Sequence, residues 1–288
     1  MTITVWRRSD AGDDALSLTR EHELIAQPRR GEPIDWKSFD ARSIDERWLG
    51  PARELWKHRA YTEFHSLTQF TQLASQVQAL GAPLDWSGAF ARMIADEVRH
   101  VDLCLQMHRA LGGTADLELE TLEHVHLRQR GSLRAHVRRV VVSSFCIGET
   151  LSGRMFKRCL AACTVPLARE VVTAILVDET FHAECGWELG ALLMRPDEHL
   201  ETERASLAAE LPSLFREYAG VCHATRSPAW TRAQSEVEDG PRLGGLSSEG
   251  YARAFFDGME EDVVPGLEAI GFPEARTAWD GFVASLPE

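Results

Sequence analysis

Hydrophobic residues recur at helical spacing along most of the chain. One such pattern runs from Pro51 to about residue 80 and stops at Gly81-Ala82-Pro83, and a second runs from about Trp86 to Leu111 and stops at Gly112. Proline in a first helical turn, and glycine just after a last one, are ordinary boundary signals. Because only a short turn separates the two patterns, they predict two long, antiparallel neighbouring helices.

Two further helical patterns follow a longer connection at residues 113–131. The third spans about 132–164, and the fourth begins at Pro166 and continues to Met194, shortly before Pro196. Proline interrupts helices because it lacks the backbone N–H and clashes with the preceding turn. Four long helices in two pairs, joined by a crossover, are typical of a four-helix bundle, so the predicted fold class is all-α.

The two ends of the chain are expected to add helical segments to this bundle. Residues 1–46 are predicted to be a lead-in that packs on the bundle, with one short helix at 14–26. The bundle itself is assigned to 47–196. The remaining residues, 197–288, are predicted to be a helical extension of the same domain, with helices near 198–218 and 248–270 around a loop at 227–248 rich in Pro, Gly and Ser.

Composition and charge limit the classes of partner. The 288 residues carry 31 Lys and Arg against 44 Asp and Glu, a formal net charge of −13. Such a charge repels nucleic-acid phosphates and anionic lipids, so neither nucleic acid nor membrane is expected as a partner. The longest apolar stretches are shorter than a membrane-spanning helix, and the N-terminus lacks the apolar core of a secretion signal. The expected location is the cytoplasm, and the six cysteines are expected to be free thiols.

Candidate chemistry lies in a repeated motif, Asp-Glu-x-x-His. It occurs as Asp96-Glu97-Val98-Arg99-His100 in the second predicted helix and again at 178–182 in the fourth. Glu and His three positions apart share one face of a helix and can present an oxygen and a nitrogen to the same ion. A third Glu-x-x-His, Glu123 with His126, lies in the predicted crossover without the preceding aspartate and is interpreted as solvent-exposed.

The other two predicted helices each offer one carboxylate at the matching height. Counted from the turns, Glu63 is nearly level with Glu97, and Glu149 is nearly level with Glu179, whereas Glu54 would be about 20 Å from that level at 1.5 Å per residue. The predicted metal ligands are Glu63, Glu97, His100, Glu149, Glu179 and His182. Four buried carboxylates need neutralisation, which two divalent ions would supply, and oxygen-rich ligation favours iron or manganese over structural zinc.

At these residues the chain resembles the ferritin-like di-iron carboxylate superfamily, over about residues 51–194. The resemblance is to its oxygen-activating branch, which includes acyl-carrier-protein desaturases, bacterial multicomponent monooxygenases and aryl-amine N-oxygenases. It implies a ferritin-like four-helix bundle with additional N- and C-terminal helical segments. It also implies that Asp96 and Asp178 each orient a ligand histidine, with surface or helix-capping carboxylates as the alternative. By the same resemblance Ser152, one turn after Glu149, is a candidate for proton delivery, with ordinary polar packing as the alternative.

The function that this resemblance implies is a non-haem di-iron oxidase or oxygenase. Such an enzyme would use two iron ions at a carboxylate-bridged centre, with manganese at one or both positions as an alternative, and O₂ as co-substrate. It would hydroxylate, N-oxygenate or desaturate a small organic substrate. Because no nucleotide fingerprint or iron–sulfur cysteine set is evident, an external electron donor or reductase is expected. A homodimer is left open, and the alternative function is a ferritin-like metal-handling protein with ferroxidase activity and no organic substrate.

Overall fold

The all-α prediction is confirmed by the structure. A computed structural model describes residues 34–113, 131–235 and 240–288, and within these ranges every regular element is helical. The predicted helix at 14–26 and the Glu123/His126 pair lie outside the described residues.

The helices agree with the predicted order, with additional segments near the C-terminus. Two short 3₁₀ turns, Trp36–Ser38 and Ala41–Ser43, precede them. The α-helices are α1 Glu46–Ala79, α2 Leu84–Ala110, α3 Leu133–Val140, α4 Thr150–Ala162, α5 Pro166–Leu193, α6 Leu200–Val221, α7 Pro228–Ala233, α8 Ser248–Gly258, α9 Val264–Ala269 and α10 Ala275–Ala284. Two π-helical segments, π1 Val141–Glu149 and π2 Met259–Val263, connect α3 to α4 and α8 to α9.

The chain divides into two compact units. The first comprises residues 1–137 and 164–178, and the second comprises 138–163 and 179–288. Three boundaries result: one passes through α3, one lies between α4 and α5, and one passes through α5 between Asp178 and Glu179. The predicted assignment of 47–196 to one bundle therefore stays a prediction.

In the first unit, α1 and α2 form an antiparallel helical hairpin. The turn between them contains Gly81, whose φ of +78° suits a residue without a side chain. The prediction that α1 begins at Pro51 is wrong by five residues: α1 begins at Glu46 because the Asp45 side chain caps it by accepting from the Arg47 N–H. Pro51 is therefore inside the helix.

The core of the first unit is built along the facing sides of α1 and α2. Its largest buried side chains are Trp56, Phe70, Leu73, Trp86, Phe90, Met93 and Met107. Their recurrence at helical spacing is the pattern that predicted the two helices. These apolar layers bring α1 and α2 together over their length, so polar residues on the same faces are buried with them.

In the second unit, the predicted helix over 132–164 is interrupted by a π-helical segment that the sequence analysis did not predict. Its central part, π1, is π-helical for nine residues and ends at Glu149. A π-helical turn holds more residues than an α-helical turn, so it rotates the side chains that follow it relative to those before it. The orientation of Glu149 is thus set partly by this local change of helix type.

The second unit has its own hydrophobic core, built around the C-terminal helices. The indole ring of Trp279 on α10 lies 5.9 Å from the ring of Phe215, 5.8 Å from Phe255 and 5.4 Å from Phe282, measured between ring centroids. Val142 and Ile147 of π1 belong to the same cluster. The C-terminal extension therefore packs against the backbone segment that carries Glu149. The helix at 275–284 was not predicted.

Among the described residues, no helix has the length and apolar character needed to cross a lipid bilayer.

Candidate metal centre

The first unit brings three predicted ligands together between α1 and α2. Glu63, Glu97 and His100 each offer one ligand atom, and these atoms lie within 4.8 Å of one another. His100 Nδ1 is 3.5 Å from Glu63 Oε2 and 3.9 Å from Glu97 Oε2. All three side chains are buried, and the imidazole has no exposed surface. We call these residues the first triad.

The other nitrogen of His100 is held by Asp178. His100 Nε2 lies 3.3 Å from Asp178 Oδ2, and the same oxygen accepts a hydrogen bond of 2.7 Å from Arg99. A carboxylate accepts only, so Nε2 carries the donated proton. In the neutral ring this leaves the lone pair on Nδ1, which faces the two glutamates and is the nitrogen suited to bind a metal.

The charges of the first triad change its protonation in the metal-free protein. Burial alone would lower the pKa of His100, but the hydrogen bonds to Asp178 and Glu63 and the charge of Glu97 outweigh it, and the pKa is raised well above its usual value. Burial would likewise raise the pKa of Glu63, but His100 and, to a smaller extent, Arg59 hold it below its usual value. A proton on His100 thus partly balances the two glutamates when no metal is bound.

The second unit brings together the other three predicted ligands. Glu149, Glu179 and His182 also offer ligand atoms within 4.8 Å of one another, and His182 Nδ1 is 3.6 Å from Glu149 Oε2. Their exposed fractions are 7%, 2% and 0%. We call these residues the second triad. Glu179 directly follows Asp178 on α5, so the residue that holds His100 and a ligand of the second triad are consecutive in the chain.

Three side-chain hydrogen bonds surround the π-helical segment that ends at Glu149. The Tyr218 hydroxyl donates to the Ser143 carbonyl at 2.7 Å, the Cys146 thiol donates to the Gly186 carbonyl at 3.3 Å, and Trp187 Nε1 donates to the Thr150 hydroxyl at 3.0 Å. Burial, with a smaller contribution from the charge of Glu149, raises the pKa of Tyr218, so its hydroxyl is a donor at neutral pH. Hydrogen bonds therefore restrain the chain on both sides of Glu149: at Ser143 and Cys146 before it, and at Thr150 after it.

The remaining predicted site residues are in different surroundings. Asp96 is buried on α2, and its Oδ2 lies 3.4 Å from Arg92 Nε, one turn earlier. Ser152 is partly buried in the first turn of α4, three residues after Glu149. Its role in proton delivery stays a prediction.

Sequence reasoning missed two arginines near the first triad and the tyrosine that hydrogen-bonds to π1. Arg59 is buried one helical turn before Glu63, a spacing visible in the sequence, and Arg99 lies inside the motif itself. Tyr218 could not be found by spacing, because 69 residues separate it from Glu149 and only the packing of α6 brings it to π1.

The donor sets fit divalent metal ions. Each triad supplies carboxylate oxygens and one imidazole nitrogen, and with a neutral histidine its two carboxylates carry a charge that one divalent ion cancels. Burial makes this neutralisation necessary, since isolated charges away from water are costly. Oxygen-rich sites with one imidazole suit iron or manganese.

Comparison of the chain with protein-family models, with curated proteins and with solved structures found no match. What the residues themselves define is an all-α protein with buried carboxylate and histidine groups able to hold metal.

Proposed function

We propose that this protein is a non-haem di-iron oxidase or oxygenase that activates O₂ to oxidise a small organic substrate. The observation that carries the proposal is the pair of buried triads, each built from a Glu-x-x-His motif and one glutamate from another helical segment. We propose that the six side chains are the ligands of two metal ions, as in ferritin-like di-iron proteins. Support for this comes from the repeated motif and from the direct succession of Asp178 and Glu179 on α5.

The side chains have separable roles in this proposal. The four glutamates neutralise the ions, and the two histidines supply nitrogen ligands through Nδ1. Asp178 fixes the tautomer and ring orientation of His100, with Arg99 holding Asp178 in turn. Burial of the triads excludes bulk water, which strengthens these electrostatic interactions.

Bound iron would supply the redox chemistry with O₂ that protein side chains lack. Manganese at one or both positions is the alternative metal content. The two electrons needed for each turnover come, in this proposal, from an external donor or reductase. Hydroxylation, N-oxygenation and desaturation are the reaction classes in question, and the shape of the substrate pocket selects among them.

Anaerobic loading of the metal-free protein with Fe(II), followed by mixing with O₂, tests the proposal. We expect two irons per chain, a transient visible absorption change, and repeated O₂ consumption once a reductant and an accepted substrate are present. The variant Glu54→Gln is a matched control, because Glu54 is an exposed glutamate on the same helix as Glu63 and should leave the iron content unchanged.

Two results would contradict the proposal in different ways. Two irons with continued mineral growth at excess Fe(II) would favour a metal-handling protein with ferroxidase activity and no organic substrate. No tightly bound iron or manganese in the wild-type protein would show that the triads are not a metal centre of this kind.

A further inference from the structure

Glu149 differs from the other five candidate ligands in the backbone that carries it. It is the last residue of π1, whereas the other five lie within the α-helices α1, α2 and α5. π-helical turns are rare because their hydrogen bonds are poorer than those of an α-helix, and they persist where surrounding contacts hold them. A specific contact is therefore expected to hold π1.

Tyr218 contacts π1 at Ser143 and at Gly148, the residue directly before Glu149. Its hydroxyl donates a 2.7 Å hydrogen bond to the carbonyl of Ser143, in the first half of the segment. The same hydroxyl also lies over Gly148, the residue directly before Glu149: a Cβ atom at Gly148 would be only 2.7 Å from the hydroxyl oxygen. One side chain thus touches both halves of π1.

The absence of a side chain at Gly148 is what allows this approach. Alanine has a higher helical propensity than glycine, by about 1 kcal/mol, so glycine in the middle of a helical segment needs a reason. Here the reason is space, since a methyl group at this position would be only 2.7 Å from the Tyr218 hydroxyl oxygen. The ring carbon that bears the hydroxyl would be 3.5 Å from that methyl group, an ordinary contact.

We infer that Tyr218 is a positioning residue for the second triad: its hydroxyl fixes the π-helical turn and thereby sets where Glu149 presents its carboxylate. This inference rests on the proposed metal-binding function. Tyr218 acts through the backbone of Ser143 and Gly148 and is not itself offered as a ligand. Glu63, on the regular helix α1, has no corresponding dependence on Tyr218.

Cobalt(II) binding tests this inference without any measurement of turnover. Titrations of the His100→Ala and His182→Ala variants should each report one remaining ion, held by the second and the first triad respectively. Adding Tyr218→Phe should weaken binding to the second triad by about 10-fold, the lower end of the loss seen when a residue supporting a metal ligand is removed. Binding to the first triad should be unchanged.

Tyr251→Phe is the matched control. Tyr251 is a partly buried tyrosine of the same unit on α8, and its ring lies 6.3 Å from the ring of His223. The control should leave both cobalt affinities as they were. Equal weakening by the two Tyr→Phe changes would overturn the inference, because it would show a general loss of packing.

A second experiment tests the contact with Gly148 in the metal-free protein. Gly148→Ala should lower the melting temperature of the wild-type protein, since the new methyl group collides with the Tyr218 hydroxyl. In the Tyr218→Phe background that collision is gone, so the same change should cost about 3 °C less, equivalent to about 1 kcal/mol for a protein of this size. Equal costs in the two backgrounds would overturn the inference.

The failures of the two proposals are distinguishable. Wild-type protein that binds no cobalt, iron or manganese would overturn the metal-binding function, and the positioning role with it. Wild-type protein that binds two ions, with Tyr218→Phe indistinguishable from it in both triads, would overturn the positioning role alone.

Discussion

The two triads contain the same residue types but stand on different kinds of backbone. In the first, Glu63 comes from the regular helix α1, which pairs with α2 through a short turn. In the second, Glu149 comes from the end of π1, which is held by side chains from α5 and α6. The first geometry follows from local helical spacing and one turn, whereas the second also depends on distant parts of the chain.

The two kinds of backbone should make the two triads sensitive to different substitutions. A helical hairpin positions its residues through many contacts along its length, so one distant substitution has little influence on Glu63. The π-helical segment relies on a few specific hydrogen bonds and on the aromatic core behind it. We therefore expect the second triad to respond to substitutions far from it, and the first to respond mainly to changes within itself.

Trp279→Ala should give the largest effect and should separate the two triads. The indole is 3% exposed and lies against four phenylalanine rings, so its removal should lower the free energy of unfolding by about 3–5 kcal/mol. Chemical denaturation measures this loss. Because π1 packs on the same core, cobalt binding by the second triad should weaken more than binding by the first.

Equal weakening of cobalt binding at both triads by Trp279→Ala would contradict the expected difference between them. Trp56→Ala is the counterpart in the first unit, where the indole is fully buried on α1. It should produce the opposite preference, with the first triad affected more.

Removal of either candidate ligand, His100 or His182, should abolish tight binding of one metal ion and leave the other ion bound. Loss of a residue that supports a ligand weakens metal binding by about 10–100-fold, so loss of the ligand itself should cost at least about 100-fold, or about 2.7 kcal/mol. We expect His100→Ala and His182→Ala each to retain one tightly bound ion per chain, counted by metal analysis after gel filtration.

His58→Ala is the control for these variants, since His58 is an exposed histidine on α1. It should retain two ions. Retention of two ions by His100→Ala would show that His100 is not a ligand. Loss of both ions in either histidine variant would show that the triads do not act as separable sites.

The helices and the candidate ligand residues were predictable from sequence to different extents. Helical periodicity and terminal signals located α1, α2 and α5 to within a few residues, because long amphipathic helices follow local rules. The D-E-x-x-H repeat identified Glu97, His100, Glu179 and His182 as candidates by spacing alone. Glu63 was selected because it and Glu97 lie at similar distances from the turn at Gly81, and straight helices in a hairpin keep such residues level. In the structure its carboxylate oxygen lies within 4.8 Å of that of Glu97.

The remaining features could not be predicted because they are non-local. No residue pattern in 141–149 marks a π-helical turn, because such a turn depends on what packs around it. Asp178 lies beside His100 of the other motif, a pairing across 78 residues that no local pattern encodes. Tyr218 reaches π1 only through the packing of α6.

Asp178→Asn should change the pH dependence of the metal-free protein. The raised pKa of His100 contributes stability that is complete below its unfolded-state pKa of about 6.5 and is lost as pH rises through the folded-state pKa. Removing the carboxylate's charge lowers the pKa of His100 and should reduce stability at neutral pH by about 2 kcal/mol, the usual value of a buried hydrogen bond to a charged group.

Imidazole NMR titration and denaturation across pH 5–9 measure these two quantities. Asp102→Asn is the control, because Asp102 is an exposed aspartate on the same helix as His100. An unchanged His100 pKa in Asp178→Asn would show that Asp178 does not govern that ring. A shift of similar size in Asp102→Asn would show that the effect is one of net charge only.

The smallest expected effect concerns the hydrogen bond on the C-terminal side of Glu149. Trp187→Phe keeps an aromatic ring but removes the N–H that donates to the Thr150 hydroxyl, so stability should fall by about 1 kcal/mol. Thr150→Val removes the other partner. If the two groups act through each other, the double variant should cost clearly less than the sum of the single variants, measured by denaturation of the metal-free protein. Additive costs would mean that this bond does not hold the end of π1, and the second triad would then depend on Tyr218 and the aromatic core alone.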